Sequence, residues 1–206
     1  MADAFDPQHA GRLEASARLA ALPQAAIVSL LRLAGEETVV DYGAGTGIYT
    51  IAVTEAVPNG RVIAVEAAPR LAEMLRARIT LELGSRLQLV ETDANAVPAP
   101  DGVADRVLMV DVLHHVYDQP EALAEVARLL RPDGLFVVVD WGDRERPVGP
   151  PLDHVLGLAA VRGVISSMGL HEVEAHEPGS LLPYHLVVVA AKSEAARYGH
   201  PRWDQD

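Results

Sequence analysis

The sequence contains no cysteine. That excludes disulfides, thiolate metal sites and a cysteine nucleophile. Aromatic residues are only 4% of the 206 positions, so the interior has to be built from alanine, valine and leucine. Basic residues are scarce: 17 Lys and Arg stand against 29 Asp and Glu, a formal net charge of −12. Polyanion binding depends on Lys and Arg neutralising phosphates, and no basic cluster appears, so a nucleic-acid partner is not expected. No apolar run approaches the ~20 residues that a membrane span needs. The stretch Met1 to His9 is polar and acidic and lacks the apolar core of a secretory signal. The expected location is cytoplasmic. Nothing in the sequence speaks to oligomeric state.

Half the residues are hydrophobic, enough for a substantial core in one domain. There is no internal repeat. Short β-branched runs alternate with helical segments, which argues for a parallel sheet covered by helices. Strands are expected at Thr38 to Asp41, Arg61 to Glu66, Leu87 to Val90, Arg106 to Asp111 and Leu135 to Asp140. Helices are expected over Pro23 to Leu33, Thr46 to Val57, a stretch ending near Gly84, and the segment after Pro120. Beyond Asp140 the pattern changes. Trp141 to Pro151 reads as a loop and Leu152 to Met168 as a helix. Two further strands, Leu170 to Ala175 and His185 to Ala191, are joined by a link too short for a helical crossover, so they form an antiparallel hairpin. The expected fold is α/β: a Rossmann-like, doubly wound seven-stranded sheet, mostly parallel with an antiparallel C-terminal hairpin. One domain divides into an N-terminal helical segment (1–34), a core (35–140), an insert or lid (141–169), the hairpin (170–192) and a tail (193–206).

The chemistry concentrates in Val39-Val40-Asp41-Tyr42-Gly43-Ala44-Gly45-Thr46-Gly47. A strand runs into a glycine turn that opens a helix, and glycine lets a ligand lie against bare backbone. The helix start adds unpaired N–H groups. Glu66 closes the next strand on the order of 20 residues later, where an acid accepts hydrogen bonds from ribose hydroxyls. Asp41 stands directly before the turn. A carboxylate there is unfavourable for a dinucleotide's pyrophosphate and favourable for a cationic, amino-acid-bearing nucleoside. The spacing Gly43-x-Gly45-x-Gly47 also departs from the dinucleotide pattern G-x-G-x-x-G.

The segment Asp41 to Gly47 resembles the first motif of class I S-adenosylmethionine (SAM)-dependent methyltransferases, and the likeness extends from about Thr38 to Asp140. It is closest to the small-molecule branch that includes ubiquinone/menaquinone-biosynthesis-type enzymes. The resemblance implies SAM as cofactor, bound by Asp41, Gly43, Ala44, Gly45, Glu66, Ala67, Asp93, Ala94 and Asp111. Asp41, Gly43 and Gly45 would line the methionine end. Glu66 would hold the ribose, with Ala67 beside it. Asp93 would accept from the adenine amino group and Ala94 offer its N–H, although Asp93 before Asn95 also suits a plain turn. Asp111 would flank the cofactor with its backbone more than its side chain. The Asn/Asp-Pro-Pro-aromatic run common in enzymes that methylate base or amide nitrogens is absent from Asp111-Val112-Leu113-His114-His115.

The two histidines admit two readings. One could be a general base on an acceptor hydroxyl, and His115, further from the strand, is the better candidate. The plainer reading packs one under the cofactor and leaves the other to bond backbone. Asp111, His114, His115 and Asp140 are metal-ligating types, but no tight ligand pattern joins them and no metal is expected. An acceptor pocket should come from Phe5 to Leu22 and from Trp141 to Met168, with Tyr49, Trp141 and Tyr184 as candidate lining. The expected reaction is methyl transfer to an O-, C- or N-nucleophile of a small molecule. A non-catalytic SAM-binding protein is the alternative. An NAD(P)-dependent reductase is disfavoured by Asp41, the glycine spacing and the lack of a Tyr-x-x-x-Lys pair.

Overall fold

The computed structural model describes residues 10–92 and 96–192. Seven strands form one sheet: β1 (Thr38–Tyr42), β2 (Arg61–Glu66), β3 (Leu87–Glu91), β4 (Ala104–Val110), β5 (Leu130–Trp141), β6 (His171–His176) and β7 (His185–Ala191). Their order is β3-β2-β1-β4-β5-β7-β6. The first five pair in parallel, and β7 runs antiparallel between β5 and β6. This is the seven-stranded, mostly parallel sheet that the sequence pattern implies.

Successive residues of a strand face opposite sides, and here each side is buried. Val39, Leu108, Val137 and Val189 face one apolar layer, where helices α3 (Gln24–Leu30), α4 (Ile48–Ala56) and α5 (Pro69–Arg78) contribute Ile27, Val53 and Leu75. Val40, Val107, Phe136 and Val188 face the other, against Leu123 and Val126 of α7 (Gln119–Leu129) and Val161 and Ile165 of α8 (Leu158–Ser167). Doubly covered strands read as continuous apolar runs, which is why the central ones were so plain in the sequence. The remaining short helices are α1 (Ala10–Leu13), α2 (Ser16–Ala21) and α6 (Leu81–Gly84).

Three expectations need correction. The helix of Leu152 to Met168 is a 3-10 turn at Leu152–His154 followed by α8, which begins only after Gly157. The Asp143 carboxylate stands 2.8 Å from where a Cβ at Gly157 would be, so the helix starts beside an acid that suits its N-terminus. The helix expected to run on to Gly84 breaks at Thr80, whose hydroxyl caps the separate α6. Strand β5 begins at Leu130 rather than Leu135, because Leu130 already pairs with Ala104 before a register shift absorbs the residues around Asp133. The tail from Ser193 lies outside the described residues.

Candidate functional site: a cavity at the carboxyl ends of the strands

Open α/β sheets bind ligands at the strands' carboxyl ends, where the order reverses. Here that point lies between β1 and β4, and a cavity of about 560 Å³ opens there, within the ~300–1,000 Å³ typical of small-molecule sites.

The glycine turn divides its labour. Gly43, Gly45 and Gly47 have φ of 80°, 57° and 86°, in the left-handed region where side chains are strained. A Cβ on Gly43 would lie 2.4 Å from Val112 Cγ2, and one on Gly47 2.2 Å from Leu75 Cδ1, so these two are required by packing. A Cβ on Gly45 would meet nothing nearer than Leu13 Cδ1 at 3.6 Å. Gly45 lines the cavity and presents bare backbone to it.

Glu66 closes β2 and lines the same space. Its Oε2 accepts from the Gly45 N–H and its Oε1 from the Ala68 N–H, both at 2.7 Å. Each carboxylate oxygen has a second acceptor site, so the side chain fixes the turn and still has capacity for a ligand's hydroxyls. The Val65 carbonyl accepts from the Gly43 and Ala44 N–H groups at 2.9 Å each, tying the turn to β2. Thr46 lines the cavity with its hydroxyl buried and without a hydrogen-bond partner. Buried polar atoms are rarely left unpaired, and this one awaits a ligand.

Asp41 is not among the lining residues. The carboxylate expected at the methionine end is 2% exposed and accepts from the Thr50 hydroxyl at 2.5 Å. Burial raises its pKa to about 6, against the lowering effect of Thr50 and with a smaller push from Glu66. It acts from behind the turn, not in contact with the cavity.

Asp111 differs from expectation in the opposite sense: its side chain is as engaged as its backbone. Asp111 has φ +56°, unusual for a residue other than glycine. Its Oδ2 accepts from Arg18 Nη2 at 2.8 Å and Nε at 3.2 Å, and its Oδ1 lies 3.2 Å from Nε2 of fully buried His185. Burial alone would raise this carboxyl's pKa, but His185 and Arg18 outweigh it and hold the group well below the usual range. Arg18 also donates from Nη1 to the Leu13 carbonyl at 2.8 Å and stands 5.7 Å over the Tyr49 ring. Leu13 and Arg18 thus bring the N-terminal segment onto the cavity.

The histidines separate. His114 is buried, with Nδ1 2.6 Å from Asp140 Oδ1 and its backbone N–H donating to Asp140 Oδ2 at 3.2 Å. Burial lowers its pKa, yet the charge and hydrogen bond of Asp140 more than reverse this. His115 lines the cavity, its ring 3.9 Å from that of His114. Ala44, Ala67, Thr92 and Tyr49 also line it. Trp141 and Tyr184 do not, nor does any residue of 141–168, so the expected contribution of the insert is absent. Trp141 instead stacks on His185 at 4.1 Å with Arg146 over it at 5.1 Å. Asp93 and Ala94 lie outside the described residues.

Sequence reasoning passed over Arg18, Leu13 and Tyr117. No periodicity marks Arg18, whose partner is 93 positions away; the one available signal was a lone arginine in an apolar helical stretch.

The sheet order, the glycine turn and the acid closing β2 define the class. Residues 40–138 match the model of a family described as a methyltransferase domain, and the chain belongs to the class I SAM-dependent methyltransferases. Within that class it is 30% identical over 103 residues to the demethylmenaquinone methyltransferase of Thermus thermophilus, covering 50% of this chain and 46% of that protein. It is 34% identical over 121 residues to the malonyl-[acyl-carrier protein] O-methyltransferase of Geobacter sulfurreducens, covering 57% and 44%. The chain thus spans less than half the length of these relatives. A SAM-dependent methyltransferase from Aquifex aeolicus has the same fold, with a TM-score of 0.84 at 23% identity over 92% of this chain and 100% of that one.

Proposed function

We propose that this chain transfers the methyl group of SAM to a small-molecule acceptor and acts as a single domain in the cytoplasm. Its net charge of −12 argues against a nucleic-acid acceptor. Among the described residues no helix is long and apolar enough to cross a membrane.

One observation carries the reading: the buried Glu66 carboxylate, with acceptor capacity left over, stands beside the bare backbone of Gly45. These residues and the unpartnered Thr46 hydroxyl fit a nucleoside with an amino-acid arm. Glu66 would hold the ribose, with Ala67 and Ala68 beside it, and Gly45 and Thr46 would border the arm. Asp93 and Ala94 would meet the adenine. Bound SAM supplies a methyl group already activated on a sulfonium sulfur. The protein's part is then to align the acceptor and exclude water, and no nucleophilic side chain is required. His115 is the lining side chain suited to take a proton from the acceptor.

Calorimetry with SAM, S-adenosylhomocysteine (SAH) and NADH tests the cofactor. SAM and SAH should bind saturably and NADH should not; the reverse pattern overturns the reading. Glu66→Gln should weaken SAH by about tenfold or more, since a hydrogen bond to a charged group contributes roughly 1.5–3 kcal/mol.

A further inference from the structure

The cavity wall is one-sided in charge. The carboxylates of Glu66, Asp111, Asp118 and Glu121 line it, and among the described lining residues Arg18 is the one arginine or lysine. Arg18 is already committed: Nε and Nη2 donate to Asp111 and Nη1 to the Leu13 carbonyl. Other cations are placed elsewhere. Lys192, the only lysine in the sequence, donates to the Leu130 carbonyl at the opposite end of the sheet. Arg146 does not line the cavity and is spent on the carbonyls of Gly142, Arg144 and Pro150. Behind the wall lie two more buried carboxyl groups, Asp41 and Asp140.

An anionic acceptor entering this space would lose its hydration and find no free guanidinium or ammonium, and a buried unpaired charge is costly. An amine meets the opposite situation. Leu13, Ile48, Val112 and Val116 offer apolar surface for its body, and the carboxylates favour any positive charge it carries or acquires.

We propose that the acceptor is an amine with an apolar body, and that carboxylate and phosphate acceptors are excluded; this rests on the methyl-transfer reading above. In the transfer the lone pair of the neutral amine forms the N–C bond while the C–S bond breaks, its electron pair passing to sulfur. The positive charge moves from sulfur to nitrogen, and the ammonium product then loses an N–H proton to water. One positive charge remains within the acidic wall throughout. With a carboxylate nucleophile that charge would be cancelled, and the wall would oppose both binding and reaction.

Binding to the SAH-loaded protein, followed by NMR titration, tests this without knowledge of the natural acceptor. Phenethylamine, phenylacetate and phenyl phosphate share a ring and differ in charge. Phenethylamine should bind at least tenfold more tightly than either anion. Asp111→Asn releases Arg18 from its carboxylate and should narrow the gap to phenylacetate several-fold. Equal or tighter binding of the anions, no saturable binding of phenethylamine, or an unchanged ratio in Asp111→Asn would overturn the proposal. Failure of the protein to take up SAH at all would instead strike the methyl-transfer reading.

Discussion

Asp41 and His114 are both buried beside the cavity, and their titrations act on the fold in different ways. The folded pKa of Asp41 is about 6 against 3.8 for an ordinary aspartate, so the fold favours its neutral form. That contribution is complete below about pH 4 and is lost as the pH rises through 6. It amounts to about 3 kcal/mol at one pH unit per 1.36 kcal/mol. Asp41→Asn cannot ionise, so its melting temperature should fall less than that of the wild type between pH 4 and 7. Parallel profiles would show that the carboxyl ionises without cost. His114 gains from being charged, because Asp140 raises its pKa over the opposing effect of burial. Its contribution is present below the ordinary histidine value near 6.5 and is lost as the pH passes the raised folded value. In Asp140→Asn the His114 imidazole, followed by its Cε1 proton resonance, should titrate at a lower pH than in the wild type.

At the scale of elements, the strands and the glycine turn were legible because each rests on local chemistry. β5 reads as Leu-Phe-Val-Val-Val because both its faces are buried, and Glu66 falls at the end of β2 because the alternation with helices counts it there. The division among the three glycines was not legible, since it depends on Val112 and Leu75 arriving from elsewhere in the chain. It predicts different outcomes for the same substitution. Gly47→Ala drives a methyl into Leu75 at a φ of 86° and should cost about 1–3 kcal/mol of stability by denaturant unfolding. Gly45→Ala meets open space, so its cost should be limited to roughly the 1–2 kcal/mol of a left-handed non-glycine residue, while SAH affinity falls more sharply because the methyl occupies the ligand's side. Equal losses of affinity in the two variants would contradict this assignment. The break before α8 was equally out of reach, because the acid beside its start, Asp143, comes from the preceding loop.

Across the whole molecule, Asp111 joins segments that the sequence keeps far apart: Arg18 from α2 and His185 from β7. Nothing local announces such a junction, which is why Asp111 was read for its backbone. Removing one member should strand the other. Arg18→Gln leaves a buried carboxylate without its main partner and should cost on the order of 3–5 kcal/mol, while Arg18→Gln combined with Asp111→Asn should cost clearly less than the sum of the single changes. Additive losses in the double-mutant cycle would mean that the two side chains are not coupled.

The placement of β7 between β5 and β6 bears on how the protein is made. On the ribosome β6 emerges before the only strand it pairs with, and the valine-rich border of β5 stays uncovered until residues 185–191 are synthesised. The methyltransferase match ends at residue 138, so a nascent chain can hold every residue of that match and still lack the imidazole that anchors Asp111. Completion of the catalytic pocket therefore waits on nearly the last stretch of described sequence, and a chain stalled after α8 would present a sticky strand border to chaperones or to other unfinished copies.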